Sequence, residues 1–305
     1  MTFRWRIPLA AAVLTLGSLG AAVGSAATAG AASTASHPGT TPTRPGGAVG
    51  GFQPGGLIRA HSASQPSASQ PSASQPSASQ HGASADSASA ATSGRTRSVR
   101  DGSTTSTNWS GYVLTGGTGA FSSVSSSWTE PAASCGSGTQ YAAFWVGLDG
   151  YNSNSVEQTG TDSDCSGGSP DYYGWYEMYP ADPVYFTNPV APGDNLSASV
   201  AVSGTSYTLT LTDSTQGWTQ TENESGSYAD SSAEVITEAP SSAQGPLPLA
   251  DFGTIGYSAA AADGVSFSAQ DPTSITMVAG DGDQLDSTSA LDGSGGFSNT
   301  WQAAS

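Results

Sequence analysis

Residues 101–305 predict an all-β fold, an antiparallel β-sandwich of two large sheets of the concanavalin-like or jelly-roll type, and three observations carry that reading. Short segments rich in Tyr, Trp, Val and Thr alternate in twos. Gly, Asp, Asn and Ser punctuate them at short intervals. No stretch holds a helical period, so essentially no helix is expected. Many short strands between turn residues is the pattern of antiparallel sandwiches, whose concave face offers a cleft for an active site.

In chain order the strand candidates are NWSGYVLT (108–115), SSVSSSWT (122–129) and YAAFWVGL (141–148), each alternating polar or small residues with bulky ones. WYEMY (175–179) follows, then LSASVAV (196–202) and SYTLTLT (206–212), both strictly two-periodic. AEVITE (233–238), GVSFSA (264–269) and SITMVA (274–279) complete the set. The β-branched and aromatic content suits a half-buried pleated surface.

The first third of the chain has a different character. Residues 1–32 carry Arg4 and Arg6, an apolar run from about Pro8 to Val23, and then small residues, the layout of a secretory signal peptide. Residues 33–100 are Ser, Ala, Gly, Pro and Gln, with SASQP at 62–66, 67–71 and 72–76. Such a segment has too little apolar surface to offset the entropy of ordering, so a disordered pro-segment or linker is expected. It ends in RTRSVR (95–100), a basic stretch open to proteolytic removal.

Charge divides the chain in the same way. All seven basic residues and all three histidines precede residue 101, whereas Asp86 alone among the acids does. A domain this negative excludes nucleic acid and an anionic membrane as partners. Lacking histidine and lysine, it holds no Ser-His-Asp triad, Cys-His pair, His-based zinc site or Schiff base. What is left is carboxyls, amides, hydroxyls and two cysteines. Cys135 and Cys165, in a secreted chain, form a disulfide. Crowded carboxyls raise one another's pKa, so the domain is expected to be most stable in acid and to weaken towards neutral pH.

Strand alternation groups the chemistry. Glu234, Ile236 and Glu238 share one face of AEVITE, which by itself is equally the pattern of a solvated face. Glu177 shares a face with Trp175 and Tyr179, and Trp145 with Gly147 and Asp149. An acid among aromatics suits a groove lining, although Asp-Gly at 149–150 is also ordinary turn chemistry. Gln158, in VEQTGTD (156–162), has no cationic partner anywhere in the domain.

The segments NWSGYV, FWVGLDG, VEQTGTD, GWYEMYP, ENESGSYADSSAEVITEAP and PLADFGTIGYS occur in the order in which they occur in the glutamic peptidases, and this chain resembles that family, the eqolisins, over nearly all of 101–305. The resemblance implies a secreted acid endopeptidase without metal or cofactor, acting on proteins or peptides. It places the catalytic pair on Gln158 and Glu238, and the substrate-binding residues on Trp145, Asp149, Trp175 and Glu177. Two departures stand out: Tyr173 replaces an acid found in fungal members, and the cysteines are fewer and differently placed.

The implied chemistry is self-consistent. Glu238 as carboxylate takes a proton from water and returns it to the leaving amine. Gln158 stabilises the oxyanion as a donor that does not titrate, a role worth about 10²- to 10³-fold in rate. Residues alone leave two rivals open: a carbohydrate-binding, lectin-like module, and a glycoside hydrolase using Glu177 and Glu238. The Gln158 motif separates them from a peptidase. A monomer is expected, with the basic pro-segment held on the acidic domain at neutral pH. Asn108, Asn195 and Asn223 each stand in an Asn-x-Ser sequence that accepts a glycan where the host supplies one.

Overall fold

The computed structural model describes residues 102–242 and 244–305. The signal peptide and pro-segment expected at 1–32 and 33–100 lie outside the described residues. Strands β1 (Gly102–Ser106), β2 (Trp109–Thr115), β3 (Ser123–Thr129), β4 (Ala143–Asp149), β5 (Val156–Ser166) and β6 (Ser169–Tyr179) come first. Next are β7 (Val184–Tyr185), β8 (Asn195–Ser203), β9 (Ser206–Asp213), β10 (Trp218–Ser225) and β11 (Ser232–Glu238). The chain ends with β12 (Ser241–Ser242), β13 (Gly245–Pro246), β14 (Thr254–Ala262), β15 (Val265–Ser266), β16 (Thr273–Val278), β17 (Gln284–Thr288) and β18 (Phe297–Trp301).

Two layers form because the alternating strands have an apolar side to bury. One layer runs β10-β9-β8-β3-β14, the other β16-β2-β11-β4-β5-β6-β7, and β18 and β17 join them into one hydrogen-bonded path. The sequence suggests two separate sheets; the observed layers are two halves of one folded ribbon. Pairing is antiparallel except between β1 and β16. Phe144, Val146 and Leu148 from one face of β4 join Leu196, Ala198 and Val200 of β8 and Tyr207, Leu209 and Leu211 of β9 in the inter-layer core. Truncating one such leucine to alanine costs about 2–5 kcal/mol.

The other face of the second layer carries its own cluster, made of Trp109, Val113, Ala143, Trp145, Val156, Tyr173, Trp175, Ile236 and Ile275. Strand β4 is buried along its whole length because it lies between these two clusters. A strand covered on both faces loses the polar alternation of a half-exposed one.

Cys135 and Cys165 are disulfide-bonded, tying the segment before β4 to the end of β5. One strand expectation needs correction. In GVSFSA only Val265–Ser266 is extended, and Phe267–Ala269 is a 3-10 turn. The Ser266 side chain accepts from the Ser268 backbone N–H, and that local bond tightens the chain while Phe267 enters the core. Among the described residues no helix is long and apolar enough to cross a membrane.

Candidate active site

Cross-strand register brings the chemistry-bearing residues onto one face of the second layer. In one row Trp109 pairs with Glu238, Glu238 with Ala143, Ala143 with Asp162, and Asp162 with Tyr173. Two residues along, Ile236 pairs with Trp145, Trp145 with Gly160, and Gly160 with Trp175. Two further along, Glu234 pairs with Gly147, Gly147 with Gln158, and Gln158 with Glu177. Residues two apart on a strand share a face, so these three rows form one surface.

Trp145 spans the distance between the outer rows. Its indole Nε1–H donates to Glu238 Oε2 at 3.0 Å. The six-membered ring lies over Gly147, where an added Cβ would come within 2.9 Å of Cζ3 and 3.2 Å of the Gln158 Cβ. Gly160 is equally tight: a Cβ there would meet the Phe144 carbonyl oxygen at 2.1 Å and the Trp145 Cβ at 2.7 Å. The glycine of Gln-Thr-Gly is therefore a requirement for packing the cleft tryptophan. Trp109 closes the arrangement edge-on, its ring centroid 4.9 Å from that of Trp145.

Glu238, Gln158 and Trp175 are each hydrogen-bonded. Asn108 Nδ2 donates to Glu238 Oε1 at 3.3 Å, so both carboxyl oxygens of Glu238 face a donor. Gln158 Nε2 donates to Glu177 Oε2 at 2.6 Å, which fixes the amide and leaves its second N–H and its Oε1 for another partner. Trp175 Nε1 donates to Asp162 Oδ1 at 2.7 Å. Burial pushes the Glu177 carboxyl well above its ordinary range; the Gln158 bond opposes this, and the nearby Glu238 and Asp182 charges add to it.

A buried network behind β5 supports the site. Thr161 and Ser163 donate to Glu130 at 2.6 and 2.7 Å, and Thr159 donates to the Trp175 carbonyl at 2.7 Å. Burial pushes Glu130 up to about 7.

The structure thus brings Gln158, Glu238, Trp145, Trp175 and Glu177 together on one face and places Asp149 otherwise. Asp149 has φ 65°, and its carboxylate accepts from the backbone N–H groups of Ala229, Asp230 and Ser231 and from the Ser231 hydroxyl. It latches the loop that feeds β11 instead of lining the cleft. Two cleft residues escape the sequence reading, Asn108 and Asp162. Both stand inside quoted segments, and alternation from Gln158 places Asp162 on its face. Asn108 is 2% exposed and committed to Glu238, so of the three glycan acceptor sites only Asn195 and Asn223 are exposed. Tyr173 shares the row of Glu238 and donates through its hydroxyl to Asp164.

One face of the second layer presents tryptophans, an anchored amide and several carboxyls, with no basic side chain anywhere in residues 101–305. The Peptidase A4 family model matches residues 107–300, and the chain belongs to that family. Aspergillopepsin-2 of Aspergillus niger is 30% identical over 211 residues, covering 60% of this chain and 74% of the relative. Scytalido-glutamic peptidase, solved with a peptide-based transition-state analogue, aligns with TM-score 0.55 and 28% identity over 64% of this chain and 98% of its own. SCP-B, a member of the Eqolisin family solved with the tripeptide Ala-Ile-His, aligns with TM-score 0.53 and 26% identity, again over 64% and 98%. The chain is a glutamic endopeptidase of the eqolisin family.

Proposed function

We propose that peptide hydrolysis proceeds through Glu238 as general base and acid and Gln158 as oxyanion donor. The observation that supports this most directly is the Trp145 indole, which reaches from the Gln158 row to the Glu238 carboxyl. A water on Glu238 gives its proton to the carboxylate as its oxygen attacks the scissile carbonyl. The carbonyl oxygen becomes negative, and the free N–H of the Gln158 amide donates to it. Protonated Glu238 then passes the proton to the departing amine, and the C–N bond breaks. Glu177 holds the amide in register, and Trp145 and Asn108 hold the carboxyl. Trp145 and Trp175 offer apolar walls for substrate side chains, with Glu177 beside them; of the family's substrate-binding set, Asp149 serves here by positioning the loop before β11.

The test is digestion of a denatured protein near pH 4, where a carboxyl populates both protonation states. Glu238→Gln should abolish cleavage with the fold unchanged. Gln158→Ala should lower kcat about 10²- to 10³-fold with little change in KM. Full activity in either variant refutes the role assigned to that residue.

The chain acts, in this reading, as a secreted monomer released from its leader at 1–32. Residues 33–100 bind the acidic domain at neutral pH and let go as carboxyls protonate. Charge supports this: the segment carries five arginines, Arg44, Arg59, Arg95, Arg97 and Arg100, and the domain has no basic side chain. A synthetic 33–100 segment should bind the domain more tightly at neutral pH than in acid, and equal affinity at both would refute it.

A further inference from the structure

Glu177 holds Gln158 through one carboxyl oxygen and leaves the other unused. Strands β5 and β6 pair Gln158 with Glu177, so the two side chains stand side by side on the cleft face. Gln158 Nε2 donates to Glu177 Oε2 at 2.6 Å. An acid and an amide can also close into a ring, with the acid O–H donating to the amide oxygen. That ring is not formed here: Glu177 Oε1 and Gln158 Oε1 are both buried, and neither has a hydrogen-bond partner among the described residues.

The surroundings favour the neutral acid. Glu177 is 1% exposed, and residues 101–305 contain no Lys, Arg or His to neutralise a carboxylate. Facing it are Gln158 and Asp162 of β5, Glu238 of β11 and Asp182 of the loop after β6. Tyr179 shares its face of β6, and its own row continues through Gln158 and Gly147 to Glu234. None of these groups carries a positive charge. Burial, opposed by the Gln158 bond and reinforced by the Glu238, Asp182 and Asp162 charges, keeps the carboxyl well above its ordinary range. Oε2 accepts from the amide and so keeps the carbonyl character, which leaves the proton on Oε1. A buried O–H without a partner is costly, and a substrate oxygen that meets it removes the cost.

We infer that Glu177 is a second catalytic donor: its O–H, on Oε1, joins the Gln158 N–H on the oxygen of the scissile carbonyl as that oxygen becomes negative. The inference rests on the Gln158 and Glu238 pair proposed above. Both donors come from one row of neighbouring strands, and the bond between Gln158 and Glu177 sets their spacing. The hydroxyl lies within one carboxyl's width of the anchored amide, so a single substrate oxygen accepts from both. Prearranged neutral donors stabilise a developing charge without titrating away in acid. No proton is transferred in this contact; it stays on Glu177, and Glu238 remains the group that takes and returns one.

Glu177→Met and Glu177→Gln, each made alone and together with Gln158→Ala, test this on the full chain. If Glu177 served only to hold the amide, its loss would change nothing once the amide is gone. As a donor it still counts: in the Gln158→Ala background, Glu177→Met should lower kcat by a further factor of about 10 to 100 with KM little changed. Glu177→Gln, which supplies a neutral N–H, should recover most of that loss. Infrared difference spectra give a readout without turnover. At about pH 6, where an exposed carboxyl is ionised, the parent should show the carbonyl band of a protonated acid that Glu177→Gln lacks. The amide matches glutamate in size, so this measurement stands even where methionine at 177 prevents folding. The inference is overturned if Glu177→Met adds no loss in the Gln158→Ala background, or if Glu177→Gln removes no protonated-acid band. Full activity of Gln158→Ala alone would instead refute the pair on which the inference rests.

Discussion

Raising the pH from acid to neutral should unfold this domain progressively, and two buried carboxyls set the scale. Desolvation lifts Glu130 from 4.5 to about 7, against the opposing hydrogen bonds of Thr161 and Ser163. Desolvation likewise lifts Asp286 from 3.8 to about 7, against the bond from Ser110. Both folded values lie above the unfolded ones. The stability they contribute is therefore complete below about pH 4 and lost as pH climbs through 7. At about 1.4 kcal/mol per pKa unit, ionising each group costs the fold on the order of 3–4 kcal/mol. Together that is on the order of 7 kcal/mol, comparable with the whole stability of a typical domain, about 5–15 kcal/mol.

The assay is urea unfolding followed by tryptophan fluorescence in EDTA, in a Glu238→Gln background that prevents self-digestion. Stability should fall steadily from about pH 4.5 to 7 at roughly 1.4 kcal/mol per pH unit for each group. Glu130→Gln with Asp286→Asn should remove about 2–3 kcal/mol per pH unit of that slope. A stability that is flat or rising from pH 5 to 7 would refute the reasoning, as would a double variant with the original slope.

Other outcomes follow from the cleft. Trp145→Phe keeps an aromatic side chain but deletes the N–H on Glu238, so kcat in acid should fall about 10- to 100-fold with the far-ultraviolet spectrum unchanged. Unaltered kcat would show that the bond does not position the carboxyl. Gly160→Ala forces a methyl against the Phe144 carbonyl, and Tm should drop by about 5 °C or more. A variant as stable as the parent would show that β4 and β5 separate without cost.

The fold was legible wherever burial falls on one side of a strand. Val200, Leu209 and Leu211 alternate with exposed or half-exposed residues, and β8 and β9 are plain in the chain. Strand β5 was not, because it buries acids and hydroxyls on both faces through partners such as Glu130 that lie far away in sequence. The cleft was legible in part for the same reason. Alternation alone placed Trp145 with Gly147, Trp175 with Glu177, and Glu234 with Glu238, but the register that sets β11 beside β4, and β4 beside β5, joins segments far apart in the chain, and alternation carries no information about it. Asp149 departed from its expected place because a positive φ at the strand end re-aims the side chain, and two-residue alternation carries no information about that dihedral. Asn108 was hidden by its position just outside β2, where periodicity stops.

The burial of Asn108 also bears on producing the enzyme. Its Asn-Trp-Ser sequence is an acceptor for oligosaccharyltransferase, which acts on nascent chains before they fold, while the mature protein leaves 2% of the residue exposed. A eukaryotic expression host that modifies this position would load a bulky sugar onto the side chain that must reach Glu238, and the material would be trapped as misfolded precursor. Replacing Ser110 to erase the acceptor offers no escape, since its hydroxyl is bonded to Asp286 and Asn299 in the interior. Bacterial secretion is the route that the architecture favours.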